Sequence, residues 1–209
     1  MKRLPPTPEG IREAAAAIRA GEVVAYPTET VYGLAVDPFS EDAVQRLFAV
    51  KERDRGKPVL LIVADVGQLT AAVATMSPAA ETCMRAFWPG PLSLLLPKAP
   101  GLAHGITTGM PKICVRVTSQ PIARALCLAV GGPITSTSAN RSGNEPARSL
   151  DEIDMPGIAI GLDGGMLAPS PPSTVFDPDE WRIIRAGAVS EDALRNVFGE
   201  SQYSQGSLK

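Results

Sequence analysis

The sequence predicts an α/β fold: a single domain in which one twisted, open mixed sheet is flanked by helices. Three observations carry that expectation. The chain has 209 residues, 44% of them hydrophobic, which is enough for one sizeable core. Helical periodicities alternate with short apolar runs of strand length, and the later part of the chain is richer in strands, which favours a mixed sheet. Gly (19) and Pro (20) together make roughly 19% of the residues, against an average near 12%. So many turn-formers suit tight connections rather than a helical bundle. No composition shift marks a linker, so residues 1–200 read as one domain and 201–209 as a polar, flexible tail.

The elements follow from local signals in chain order. Thr7 and Pro8 suit the N-cap and first turn of a helix whose Ile11, Ala14, Ala15 and Ile18 recur at helical spacing, ending at Gly21. Residues 23–26 read as a buried strand stopped by Pro27. Ser40, followed by Glu41 and Asp42, starts a second helix with Val44, Leu47 and Phe48 on its inner face. Residues 59–63 form the next buried strand. Ser77-Pro78 opens a helix that runs to Trp88, where Pro89-Gly90-Pro91 forces a turn. Residues 92–96 and 113–117 are strands, and residues 122–130 a helix closed by Gly131-Gly132. Ile134-Thr135 leads into a polar loop over 136–143, and Ser149 with Glu152 makes a capping box for a short helix. Late strands occupy 158–162, 173–176 and 181–184, and a last helix runs from Ser190 to Phe198.

Charge and rare residues exclude several functional classes. Lys and Arg number 20 against 22 Asp and Glu, a net charge of −2. That balance argues against a polybasic chain while leaving room for a local basic pocket. Aromatics are 5% of the chain, so platforms for stacking bases are few. Cys83, Cys114 and Cys127 are an odd set without CxxC spacing, which fits a reduced chain. His104 is the only histidine, which argues against a histidine-based zinc site; no metal site is expected in the protein itself. The N-terminal stretch has prolines where a signal peptide needs apolar residues, and no aliphatic run is long enough to cross a bilayer. The expectation is a soluble, cytoplasmic protein with no membrane partner.

No GxxxxGK[ST], no GxGxxG in a strand–helix turn and no GxSxG occurs, so any nucleotide is held by other means. The run KERDRGKP, residues 51–58, puts Lys51, Arg53, Arg55 and Lys57 at every second position. In an extended chain all four point one way, a comb suited to polyphosphate or carboxylate oxygens. The same run equally fits a helix C-terminus dressed with cations that favour its dipole. PTETVYGL, residues 27–34, leaves a strand end, where α/β sheets place ligands; it also fits a corner in which Thr and Glu satisfy loop amides. STSANRSG, residues 136–143, suits contact with phosphate or ribose oxygens, and ordinary hydroxyl-capped turns explain the same composition. Arg116 lies inside a predicted buried strand, which strands a charge unless an anion meets it.

Taken together, the segments YPTETVYGL, KERDRGKP, FWPGPLSLLL, VRV, STSANRSG, PSTVFD and IRAG, in that order over residues 26–187, strongly resemble the YrdC/Sua5 family of threonylcarbamoyl-AMP synthases. The resemblance spans about residues 10–190 and looks like the short, single-domain bacterial form. It implies a YrdC-like fold around a deep, positively charged cavity. It implies a nucleotidyltransferase that joins L-threonine, bicarbonate or CO2, and ATP with Mg2+, giving threonylcarbamoyl-AMP and pyrophosphate. That is the first step of the t6A37 modification of tRNA, with a functional link to the tRNA threonylcarbamoyl-transferase complex.

Carried over position by position, Lys51 and Arg53 match the KxR pair that holds ATP phosphates and are the implied catalytic positions, with Lys57 nearby. Ser138 and Asn140 match the SxN pair facing the nucleotide, and Arg185 a later arginine on the same ligand. Thr30, Ser136 and Ser173 fall near L-threonine, and Arg116 matches the arginine that pairs with its carboxylate. Two departures are visible: Ile62 stands where many long-form members have a His, and the late motif is RAG rather than RPG. Three rivals remain. An RNA-binding module of the same fold would bind weakly and lose affinity with salt, given the balanced charge. A hydrogenase-maturation carbamoyltransferase carries further segments that this sequence does not show. A YciO-like paralogue with another substrate usually lacks the KxR, WPGP and SAN forms found here.

Overall fold

A computed structural model describes residues 1–52, 58–141 and 143–198. The chain begins with β1 (Lys2–Leu4) and α1 (Pro8–Arg19), whose start is set by Thr7: its hydroxyl accepts from the Gly10 amide at 3.3 Å. β2 (Val23–Pro27) and β3 (Tyr32–Ala35) follow, then α2 (Glu41–Lys51), capped by Ser40. Next come β4 (Leu61–Val63), a 3-10 turn (Val66–Ala71), α3 (Pro78–Phe87) and β5 (Leu92–Pro97). The short α4 (His104–Thr107) precedes β6 (Lys112–Val117), and α5 (Pro121–Val130) ends at Gly131, in the left-handed region. β7 (Ile134–Thr135), β8 (Thr137–Ser138), a 3-10 turn (Leu150–Glu152), β9 (Ile158–Leu162), β10 (Thr174–Asp177), β11 (Arg182–Arg185) and α6 (Glu191–Phe198) complete it.

The strands divide into two mixed sheets rather than the single sheet expected. One has five strands in the order β1-β9-β2-β3-β8, and the other six in the order β11-β10-β5-β6-β4-β7. In the first, β9 pairs parallel with both β1 and β2, while β3 runs antiparallel between β2 and β8. In the second, β5 pairs parallel with β10 and antiparallel with β6, and β6 pairs parallel with β4. The reason is that consecutive strands do not stay neighbours: β9 inserts between the first two strands of the chain. Only β2, β3 and β5, β6 keep sequential pairing within their sheets before the last hairpin.

Burial on both faces explains the apolar runs. Ile18, Ala14 and Ala15 of α1 and Leu126 and Cys127 of α5 pack with Val24, Tyr26 and Ile62 in one cluster. The larger cluster joins α2, α3 and α6 to the inward residues of both sheets, including Leu34, Leu61, Leu94 and Val115. Burying a side chain such as Leu94 contributes about 1.5–3 kcal/mol. Trp181 stacks edge-on between Phe176 and Phe198, at 5.1 and 4.8 Å, fixing the last helix against β10.

Three local expectations are corrected. Pro27 belongs to β2 instead of stopping it, since its position pairs with Tyr32 across a strand edge. The stretch 136–143 is not all loop, because Thr137 and Ser138 pair with Leu34 and Gly33. The capping box does not form: Ser149 makes no cap hydrogen bond, and Glu152 instead accepts the Arg148 amide at 2.6 Å. The tail, residues 201–209, lies outside the described residues.

Candidate active site

A cavity of about 1010 Å³ is lined from both sheets. The first sheet contributes Gly33 of β3 and Thr137 and Ser138 of β8, and the β2–β3 turn adds Thr28 and Thr30. From the second come Leu95 of β5, Cys114 and Arg116 of β6, Val175 of β10, and Ile184 and Arg185 of β11. The alternation of a strand selects these side chains: Ile113, Val115 and Val117 enter the core, so Cys114 and Arg116 face the other way. Among the described residues four arginines line the space, Arg116, Arg148, Arg182 and Arg185, against Glu145. Another cavity of about 450 Å³ lies among Val66, Met76, Met84 and Trp88 and holds none of the candidate catalytic or substrate-binding residues.

Arg116 is the centre of the first cavity's chemistry. It is 2% exposed, and its Nε is buried with no acceptor. Its Nη2 lies 3.2 Å from Oε2 of Glu29, and that oxygen accepts no hydrogen bond. Nearby, the Thr30 amide and hydroxyl both lie 3.2 Å from the Thr28 hydroxyl, which also donates to the Val31 carbonyl at 2.6 Å. The ST-turn so formed holds Thr30 at the cavity wall. Cys114, two residues before Arg116, has its thiol pushed up to about 12 by burial, so it is neutral at ordinary pH.

Arg185 and Ser173 form a second group. The Arg185 guanidinium donates to the Ser173 carbonyl at 2.8 and 3.2 Å and to its hydroxyl at 3.0 Å, while Ser93 and Ser173 hydroxyls are 3.0 Å apart. Gly187 makes this possible. A Cβ there would lie 2.2 Å from the Pro172 carbonyl oxygen, so the RAG turn can approach residues 172–174 only as glycine.

Six of the sequence-predicted residues therefore meet at one cavity: Thr30, Arg116, Ser136, Ser138, Ser173 and Arg185. Lys51 lies apart from its lining. It is the last residue of α2, 2% exposed, and its ammonium donates to the carbonyls of Ser138 and, at 2.8 Å, Asn140. Lys51 is thus helical and points inward instead of joining an extended comb. Asn140 faces a separate pocket of about 140 Å³. Its Nδ2 donates to the carbonyls of Asn144 at 2.6 Å and Arg141 at 3.1 Å, and its Oδ1 accepts the Ser138 hydroxyl. Arg53 and Lys57 lie outside the described residues. Ile62, at the position of the long-form histidine, is buried in the core between the sheets and α5.

Sequence reasoning missed Glu29 as a partner of Arg116, and Ser93, Arg148 and Arg182 as neighbours of the same space. Glu29 did carry a signal, as a carboxylate expected to satisfy loop amides. Its Oε1 accepts the Ser119 amide at 2.6 Å.

The fold and the cavity define a two-sheet α/β protein with a buried, incompletely bonded arginine on the wall of a cavity between its sheets. The chain belongs to the Sua5/YciO/YrdC family, whose model, described as telomere recombination, matches residues 16–187. It is similar to the threonylcarbamoyl-AMP synthase of Alkalilimnicola ehrlichii, 44% identical over 185 residues, 84% of this chain and 95% of that protein. Among solved structures it is similar to Pyrococcus abyssi Sua5 complexed with L-threonine, with a TM-score of 0.88 and 35% identity over 95% of this chain and 60% of that one. Escherichia coli YciO matches with a TM-score of 0.77 and 26% identity, covering 90% of this chain and 95% of that one. Among the described residues no helix is long and apolar enough to cross a membrane, and no group of three or more His, Cys, Asp or Glu gathers around a cation site.

Proposed function

We propose that this protein is an L-threonylcarbamoyladenylate synthase, a nucleotidyltransferase making threonylcarbamoyl-AMP and pyrophosphate from L-threonine, bicarbonate or CO2, and MgATP. Making this product would be the first step of tRNA t6A modification. Relatives named for this activity, and the threonine complex of a similar structure, support the reading. The single observation that carries it is Arg116: a guanidinium 2% exposed, with a buried unpaired Nε, on the wall of a cavity large enough for two substrates. A buried donor without an acceptor costs about 1–3 kcal/mol, and a carboxylate relieves it.

In this reading Arg116 takes the threonine carboxylate, while Thr30, Ser136 and Ser173 surround the rest of the amino acid. The amine adds to CO2 and loses a proton to solvent, giving a carbamate. A carbamate oxygen bonds to the α-phosphorus, the bond from that phosphorus to the β-bridging oxygen breaks, and pyrophosphate leaves with the electron pair. Arg185 and Ser138 face the nucleotide, with Arg53 and Lys57 on its phosphates by resemblance. Mg2+ arrives bound to ATP. Catalysis is chiefly positioning and neutralisation of phosphate charge in a site sheltered from water.

Pyrophosphate release measured with MgATP, bicarbonate and L-threonine, each omitted in turn, tests this. The expected result is release only when all are present, with threonylcarbamoyl-AMP detected by mass. Release that ignores threonine overturns the amino-acid reading and favours another acceptor, as for a YciO-like paralogue.

A further inference from the structure

Among the described residues Arg116 has one ion-pair partner, Glu29, to which the proposed reaction gives no role. We infer that Glu29 is the positioning residue for Arg116: it holds the guanidinium in place by charge while leaving its donors to the ligand. The inference rests on the amino-acid reading of the cavity.

Glu29 lies in the β2–β3 turn, at the edge of the first sheet, whereas Arg116 is on β6 in the second. Its Oε1 accepts the Ser119 amide at 2.6 Å and lies 3.3 Å from the Ser119 hydroxyl, which anchors the carboxylate just beyond the end of β6. Its Oε2 reaches to 3.2 Å from Arg116 Nη2. Yet Glu29 Oε2 and Arg116 Nε are both buried without a hydrogen bond. The attraction between them is therefore Coulombic rather than directional.

That distinction decides what the pair can do. A guanidinium 2% exposed with no countercharge would carry a heavy desolvation penalty. A guanidinium already engaged by a bidentate carboxylate would have two of its five N–H donors taken, leaving a smaller fork for the ligand. Here Glu29, with a side chain 12% exposed, supplies the countercharge and uses its other oxygen to hold its own position. The fork of Arg116 stays available for an incoming carboxylate. The Glu29 carbonyl also accepts the Ser170 hydroxyl at 3.3 Å, so the connection entering β10 is tied to the same turn.

Glu29→Gln removes the charge and keeps an acceptor for the Ser119 amide. L-threonine binding to the intact protein is measured by calorimetry without ATP, beside steady-state KM for threonine and for ATP. We expect threonine Kd and KM to rise about tenfold or more. KM for ATP and kcat at saturating threonine should stay within about twofold, while the melting temperature falls because the buried guanidinium loses its countercharge. Arg116→Ala is run alongside. Unchanged threonine affinity in Arg116→Ala overturns the amino-acid reading itself. Loss there with unchanged affinity in Glu29→Gln overturns only the role given to Glu29. A rise of both KM values also overturns it, marking Glu29 as a general structural latch. Should Glu29→Gln not fold, Glu29→Asp, which keeps the charge on a shorter arm, is read for the same split between the two KM values.

Discussion

Lys51 and Arg116 are both 2% exposed, and the fold treats the two buried cations in opposite ways. The Lys51 ammonium sits at the end of α2 and donates to main-chain carbonyls of Ser138 and Asn140, on either side of the turn that follows β8. Arg116 projects from near the C-terminal end of β6 with a buried Nε unpaired and a carboxylate held nearby without a hydrogen bond. One cation braces the backbone of the SxN segment; the other keeps a buried donor unmatched. Burial alone does not mark a binding residue. What separates the two is whether the donors are already matched, since an unmatched buried donor is tolerated only where a ligand or water can meet it.

The sharpest way to break this contrast is Lys51→Met. The substitution leaves two carbonyl oxygens without their charged donor, at about 1–3 kcal/mol each. The expected loss is about 2–5 kcal/mol, or a melting temperature lower by roughly 5–15 °C for a chain of this size. Differential scanning calorimetry reads it directly. An unchanged melting temperature with a large loss of ATP affinity would instead assign Lys51 to phosphates, as the KxR resemblance implies, and the two cations would then be alike.

The complementary variant is the double substitution Arg116→Met with Glu29→Gln. Removing both charges leaves neither one stranded, and replacing a buried ion pair by neutral groups is often neutral or mildly stabilising. Stability in denaturant should move by no more than about 1 kcal/mol, while threonine binding falls below detection. A loss of stability as large as that of Lys51→Met would show that the pair holds the two sheets together rather than serving the ligand.

Much of this was legible in the sequence, and the limits are physical. Helix starts at Thr7, Ser40 and Ser77 could be read because each cap is local: their hydroxyls accept from amides three residues on. β3 was missed because Tyr32–Ala35 follows a polar TET run and contains Gly33, which hides its strand character. Gly33 is needed there, since a Cβ would crowd the Tyr26 ring at 3.3 Å. The split into two sheets was not legible, because β9 pairs with β1 and β2 across most of the chain length. Within the site, an arginine inside an apolar strand announced itself, as did hydroxyl-rich segments at strand ends. Lys51 could not be sorted from its neighbours in KERDRGKP, because its partners are main-chain carbonyls that leave no mark on the sequence. Glu29 and Arg116 meet across sheets, so nothing in the local run links them.

Cys114 offers the finest test of the cavity face of β6, because it is the neutral neighbour of Arg116 on the same wall. Burial raises its thiol to about 12 from an ordinary value of 9.0. A raised acid binds its proton more tightly in the folded state, so its contribution to stability is fully present below pH 9 and is lost as pH climbs toward 12. Between pH 8 and 10 the wild type should therefore lose about 1 kcal/mol more than Cys114→Ala, by urea unfolding at each pH. Below pH 8 the two slopes should match. Equal slopes throughout would mean that the thiol already ionises within the folded wall. A thiolate two residues from Arg116 would then compete with Glu29 for the guanidinium, and the contrast between a matched lysine and an unmatched arginine would lose its basis.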